Sequence, residues 1–188
     1  MDHFYESVAG WFSEWDKQVY DYAVHKFADG DIFVEIGSWK GRSACAMAVN
    51  IINSNKDIKF YCVDTWEGSA EHQKGGSNED IDIINGRLLE IFNQNTEPVK
   101  KVINIIKKES TEAAKDFDDQ SLSFVYIDAS HEYESVVNDL NAWYPKVKKG
   151  GILAGHDWDW ASVKKAVKIF CVVNDLKVTG STSWKIEI

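Results

Sequence analysis

The chain has little proline, few cysteines, a deficit of positive charge and no long hydrophobic run. Its 188 residues include 2 prolines and 12 glycines, which excludes a Pro/Gly-rich linker or a low-complexity tract. No segment approaches the roughly 18 consecutive apolar residues of a membrane-spanning helix. The opening "MDHFYESVAGWF" lacks a basic region followed by an apolar one, so no signal peptide is expected. The three cysteines, Cys45, Cys62 and Cys171, lie in apolar runs with no C-x-x-C pair. This odd count predicts buried, reduced thiols in a cytoplasmic protein and argues against a secreted disulfide framework. Lys and Arg total 21 against 30 Asp and Glu, a net charge of -9. Basic residues occur only in short pairs such as Lys148-Lys149 and Lys164-Lys165. Nucleic acid and anionic membrane are therefore not expected as partners. The glycine patterns G-x-G-x-x-G and G-x-x-x-x-G-K-[ST] are also missing, which disfavours NAD and ATP.

What is present is enough apolar residue, 44% of the chain, to bury a core in a single domain spanning 1–188. Short apolar runs at 31–37, 58–64, 102–108, 122–129 and 150–157 read as strands. Several are apolar on both faces, as in a parallel sheet covered on each side. Amphipathic stretches at 17–28, 41–53, 80–95, 132–147 and 160–174 read as helices, with a short helix expected from Ser110. This alternation predicts an α/β fold with a doubly wound, mostly parallel sheet. The end, "LKVTGSTSWKIEI", reads as a hairpin, which makes the last strand antiparallel. Residues 1–30 are expected to form an N-terminal helical cover. The polar segment "TWEGSAEHQKGGSNED" (65–80) is expected to form an active-site loop at the carboxyl edge of the sheet, where open α/β folds bind ligands.

The first strand leaves through "VEIGSWKGRS". Gly37 permits a sharp exit, and Gly41 permits close approach where the next helix begins. The free N–H groups of that helix start can bind a carboxylate or phosphate. Glu35 stands near the strand end and could accept from an ammonium group or fix the loop. One β-α-β unit later, "CVDTW" puts Asp64 at the end of the second strand, where an acid suits ribose hydroxyls.

These two motifs resemble those of class I S-adenosylmethionine-dependent methyltransferases. The E-x-G-x-x-x-G-x-S form is similar to that of small-molecule O-methyltransferases of the catechol and caffeoyl-CoA types. The resemblance runs from about Trp11 to Ile188. It implies a Rossmann-like, seven-stranded sheet and S-adenosylmethionine as cofactor. It puts Gly37, Ser38 and Gly41 against the methionine part and Ser43 on its carboxylate. Asp64 would take the ribose hydroxyls, with Thr65 and Trp66 beside the adenosine. Glu109 and Ser110 would lie near the adenine, and Asp128 near the methionine amino group.

A second constellation comes from the ends of the fourth and fifth strands, in "YIDASH" and "GHDW". Neighbouring parallel strands bring Asp128, His156 and Asp157 together, and carboxylates with an imidazole suit Mg²⁺ or Mn²⁺. His131, three residues after Asp128, is the candidate base. A hydroxyl is a poor nucleophile until a base takes its proton or a metal lowers its pKa. The D-x-x-H…HDW pattern resembles the macrolide-sugar O-methyltransferases. The chain departs from them at His156, where that branch favours an acid, and no catechol-type lysine base stands beside Asp128. The expected function is O-methylation of a small hydroxylated acceptor, such as a sugar or glycoside, with magnesium or manganese and His131 as base. A metal-independent methyltransferase, a non-catalytic binding module and a nicotinamide dehydrogenase are the alternatives. Trp158 and Trp160 either stack on an acceptor or pack, and Trp11 and Trp15 cover a sheet edge or the cleft. Acceptor selection falls to the 65–80 loop, the N-terminal helix, residues 158–161 or a partner subunit in a homo-oligomer.

Overall fold

The computed structural model describes residues 1–69 and 72–188; Ala70 and Glu71, inside the expected 65–80 loop, lie outside the described residues. Seven strands form one sheet: β1 (Ile32–Ile36), β2 (Lys59–Asp64), β3 (Ile103–Lys107), β4 (Leu122–Ile127), β5 (Val147–Gly155), β6 (Val178–Gly180) and β7 (Trp184–Glu187). Their order is β3-β2-β1-β4-β5-β7-β6. Strands β1 to β5 run parallel. The terminal hairpin folds back so that β7, antiparallel, pairs with β5 and leaves β6 at the edge. Chain order reverses between β1 and β4, so a crevice opens beyond their carboxyl ends.

Seven helices flank the sheet: α1 (Glu14–Lys26), α2 (Arg42–Ser54), α3 (Ile81–Ile84), α4 (Leu88–Thr96), α5 (Ser110–Ala113), α6 (Tyr133–Trp143) and α7 (Ala161–Val173). Alternation along β1 divides the core. Val34 and Ile36 face a layer holding Leu140, Trp143, Val163 and Val167 of α6 and α7. Phe33 faces the layer of Val19, Tyr20, Ala23, Met47 and Ile51 from α1 and α2. Period two in a strand sends adjacent side chains to opposite faces, so both faces of β1 are buried.

Several boundaries differ from the sequence expectation, among them β5, which spans Val147–Gly155 rather than 150–157. The helix expected from 17 begins at Glu14, because Ser13 and Asp16 form a reciprocal capping box. The helix expected over 80–95 is two helices, separated at Asn85–Arg87, where Gly86 takes a φ of 66°. The helix over 132–147 stops at Trp143 and passes into a 3-10 turn containing Pro145. Proline lacks the N–H that the next helical turn would use.

The turn after β1 is the tightest approach in the sheet. Gly37 has a φ of 87°, and a Cβ there would overlap the carbonyl oxygen of Asp128. Its N–H donates to Val63 O at 2.8 Å, and Asp128 N–H donates to Ile36 O at 2.8 Å. Gly37→Ala combines left-handed strain with a backbone clash. The expected destabilisation is roughly 3 kcal/mol, or a fall in melting temperature of about 6–12 °C for a domain of this size. A thermal melt within a degree or two of wild type would contradict this account of the turn.

Candidate functional site

The crevice at the switch point is a cleft of about 290 Å³. Four strand-exit segments form one side of it, and Gly10, Trp11, Gly68, Ser69 and His72 add to the lining. The turn after β1 contributes Gly37, Ser38, Trp39 and Ser43, and the end of β2 contributes Asp64 and Thr65. Glu109 and Ser110 follow β3, and Asp128 and His131 follow β4. Each segment is a strand exit on the same edge, which is why residues up to about 90 positions apart in sequence meet here.

Asp64 organises the floor. One carboxylate oxygen accepts the Trp39 N–H (2.8 Å) and the other the Trp66 N–H (2.7 Å). The Trp66 indole then donates to Trp39 O at 3.1 Å. Trp39 and Trp66 both have positive φ, 42° and 53°, a costly backbone state that persists because Asp64 holds both N–H groups. Burial raises the Asp64 pKa, against the lowering effect of these N–H donors. Lys40 closes the far end of the following loop by pairing with Asp80 (2.7 Å) and Asp82 (2.9 Å).

Several expected residues lie outside the cleft wall. Glu35 shares the β1 face of Phe33, which places it under the turn. It is buried and accepts the Tyr20 hydroxyl at 2.7 Å. Burial raises its pKa. Trp66 is buried against Phe92, with ring centroids 5.0 Å apart, rather than open to a ligand. Gly41 is the N-cap of α2 and packs on Phe92 and Thr96. Ser110 does line the cleft, but its hydroxyl accepts the Trp143 indole N–H at 2.9 Å, a packing contact. Trp158 is core, whereas Trp160 is 46% exposed and packs on the His131 ring at 4.6 Å. Trp11 lines the cleft at 65% exposure and lies 5.1 Å from Trp39, which in turn stacks with His72. The wall formed by Trp39 and Arg42 was not anticipated from the sequence. The G-x-x-x-G turn that brackets Trp39 was the available signal.

At the β4 and β5 exits, Asp128, His131 and Asp157 bring one potential ligand atom each within 4.8 Å of one another. His131 Nε2 stands 2.8 Å from Asp157 Oδ2. His156, expected among the metal ligands, is turned elsewhere. Its Nδ1 faces Asp157 Oδ1 (3.1 Å) and Asp128 Oδ1 (3.6 Å), and its Nε2 faces Asp16 Oδ2 (3.5 Å). Both ring nitrogens are thus committed to carboxylates. Burial works against the charged ring, but the bonds to Asp157 and Asp16 outweigh it and raise the His156 pKa to about 11. Asp157, at a φ of 57°, is held well below the usual carboxylate range. Burial alone would raise it, but the hydrogen bonds and charges of His131 and His156 together outweigh burial. Asp128 behaves oppositely. Burial, opposed by His156 and reinforced by the neighbouring acids, raises its pKa to about 7.

The cleft fits a cationic, nucleoside-bearing ligand. Carboxylates at Asp64, Glu109 and Asp128 favour positive charge. The free N–H groups at the start of the 13-residue α2 favour a carboxylate. The Trp39 Nε1 is buried with no acceptor among the described residues, a donor left for a ligand. The carboxylate and imidazole set of Asp128, His131 and Asp157 fits a hard divalent cation. Ligation requires Asp128 as the anion. A carboxyl with a pKa of about 7 is protonated below that pH, so cation affinity should rise with pH through about 7. We expect Mn²⁺ affinity, measured by electron paramagnetic resonance, to be about tenfold weaker at pH 6 than at pH 8. A flat profile would remove Asp128 from the ligand set.

The family described as "Methyltransferase domain" matches residues 34–158. A curated relative, the uncharacterized protein y4gI of Sinorhizobium fredii, is 26% identical over 160 residues, 82% of this chain and 16% of that protein. The chain therefore spans only a small part of the length of that relative. Among solved structures, the O-methyltransferase NovP superposes with a TM-score of 0.69 at 18% identity, over 91% of this chain and 78% of that one. CalS11, described as a TDP-rhamnose 3'-O-methyltransferase of calicheamicin biosynthesis, gives 0.63 at 14% identity, over 92% and 77%. SMU.1697c of Streptococcus mutans, a methyltransferase by its description and solved with S-adenosylhomocysteine, gives 0.65 at 11% identity, over 94% and 99%.

Proposed function

The chain belongs to the methyltransferase-domain family, and from that premise we propose that it transfers the methyl group of S-adenosylmethionine to a hydroxyl of a small, ring-bearing polar acceptor such as a sugar or glycoside. The observation that carries this reading is the meeting of Asp128, His131 and Asp157 at the edge of a cleft built by the β1 turn and Asp64. A sulfonium is already activated, so the protein has to supply position and a route for the hydroxyl proton. The acceptor oxygen attacks the methyl carbon, the carbon–sulfur bond breaks, and the sulfur keeps the electron pair. Asp64 orients the nucleoside end through the turn it holds. The exposed faces of Trp11 and Trp160 offer apolar surfaces on which a ring can stack. A similar fold in a sugar O-methyltransferase, CalS11, supports the acceptor class.

Asp128, Asp157 and His131 would hold Mg²⁺ or Mn²⁺, which when bound would lower the pKa of the acceptor hydroxyl. The 2.8 Å pair of His131 and Asp157 favours a second reading, without metal. In that reading Asp157 orients the His131 ring through Nε2, and the ring accepts the proton of the hydroxyl. In the first reading the His131 ring serves as a ligand, and in the second as the base. Methyl transfer abolished by EDTA and restored by Mg²⁺ or Mn²⁺ selects the first; transfer unchanged by EDTA selects the second.

Calorimetric titration with S-adenosylmethionine and S-adenosylhomocysteine tests the cofactor. We expect micromolar binding, weakened at least about tenfold by Asp64→Ala, the loss associated with hydrogen bonds to a charged group. Absence of binding to the folded wild-type chain, with or without Mg²⁺, would sink the methyltransferase reading.

A further inference from the structure

Behind the cleft runs a buried polar chain that the proposed reaction leaves unused. Asp16, in the first turn of α1, has 0% exposure and does not line the cleft. Its Oδ1 accepts the Tyr126 hydroxyl at 2.7 Å. Its Oδ2 accepts the Ser13 N–H (2.6 Å) and the Ser13 hydroxyl (2.7 Å). The same Oδ2 lies 3.5 Å from His156 Nε2. On the other edge of that ring, Nδ1 faces Asp157 and Asp128. Asp157 then reaches His131. The Ser13 hydroxyl also meets Thr182 Oγ1 at 2.6 Å, tying the chain to the β6–β7 turn.

A helix cap alone does not account for this. A capping box needs one carboxylate oxygen and works at the surface, whereas this carboxylate is fully buried and uses both. Burying a charge is costly unless it is paired. The partner it gains is His156, whose ring orientation is set by two side-chain torsions once its backbone is fixed. Carboxylates on opposite edges hold those torsions. Asp157, in a left-handed conformation, relies on the ring for one of its oxygens and gives the other to His131.

We propose that Asp16 is a positioning residue of the site: from the N-terminal helix it fixes the His156 ring, which sets Asp157 and Asp128 in the orientation that brings them to His131. The proposal rests on the reading that Asp128, His131 and Asp157 form the reacting centre. The N-terminal helix is therefore part of the site's frame as well as its cover.

The test uses Asp16→Asn in the full chain, an isosteric change that replaces one acceptor oxygen with a donor. Imidazole ¹H–¹⁵N correlation spectra of the metal-free protein report His131. Mn²⁺ affinity is read by electron paramagnetic resonance, and S-adenosylhomocysteine affinity and melting temperature serve as controls. The expected result is displaced His131 resonances and Mn²⁺ affinity weakened about tenfold or more, with S-adenosylhomocysteine affinity weakened less than that of Mn²⁺, since Asp16 itself does not line the cleft. Unmoved His131 resonances in folded Asp16→Asn overturn the proposal. So does a loss of S-adenosylhomocysteine affinity equal to that of Mn²⁺, which marks a merely structural role. If Asp16→Asn fails to fold, Tyr126→Phe and Ser13→Ala each remove one donor to Asp16. One of them must displace the His131 signals, and two silent variants overturn the proposal. A wild-type chain that binds no Mn²⁺ defeats the metal reading, while the metal-free His131 spectra still decide the role of Asp16.

Discussion

The structure depends on the close approach of two strand exits. β1 and β4 are neighbours, and at their carboxyl ends the backbone of Gly37 presses on the carbonyl of Asp128. The contact is held by hydrogen bonds from Gly37 to Val63 and from Asp128 to Ile36. One side of this junction is the turn that opens α2; the other is the carboxylate that faces His156 and Asp157. The distance between the turn after β1 and the cluster of Asp128, His131 and Asp157 is therefore set by backbone packing. Side chains can vary around that frame without altering it. This is the usual advantage of building a site on strand ends rather than on long loops alone.

Charge placement follows from the same frame. Three carboxylates crowd around the β4 and β5 exits, in a chain that is already acidic. Asp16 and Asp157 stay ionised beside His156, with the Asp16 pKa drawn down to about 2 against the opposing effect of its burial. Asp128 is left with the weaker share of that cation, so its pKa moves the other way. Two kinds of carboxylate thus arise within one cluster, one committed to structure and one free to respond to a ligand. The separation comes from environment, as titratable groups of one type diverge when burial and partners differ.

Much of the architecture was legible from periodicity. Apolar runs bounded by turns identified β1, β2, β3 and β4, and the Gly-Ser turn between 176 and 188 identified the final hairpin. The helix over 80–95 misled because its apolar spacing continues across Asn85–Arg87, while Gly86 interrupts the backbone without disturbing the pattern. Asp64, Asp128 and His131 line the cleft because strand-end positions converge in a doubly wound sheet, whereas Ser43 and Thr65 were pointed out by the resemblance alone. Glu35 and Trp66 were misjudged for one reason: proximity in sequence to a ligand turn does not say which face of the strand or loop a side chain takes.

The sequence by itself determined the fold class, the strand exits and the residue types available there, because hydrophobic period and turn chemistry are local properties. Tertiary structure alone decided how those residues share partners. That Asp16 from the first helix reaches His156, and that the His156 ring is thereby held between Asp16 on one edge and Asp128 and Asp157 on the other, depends on a contact 140 positions apart in the chain. No local pattern encodes such a contact; it exists because α1 packs on the sheet face that carries Tyr126, and burial then obliges each polar group to find a partner.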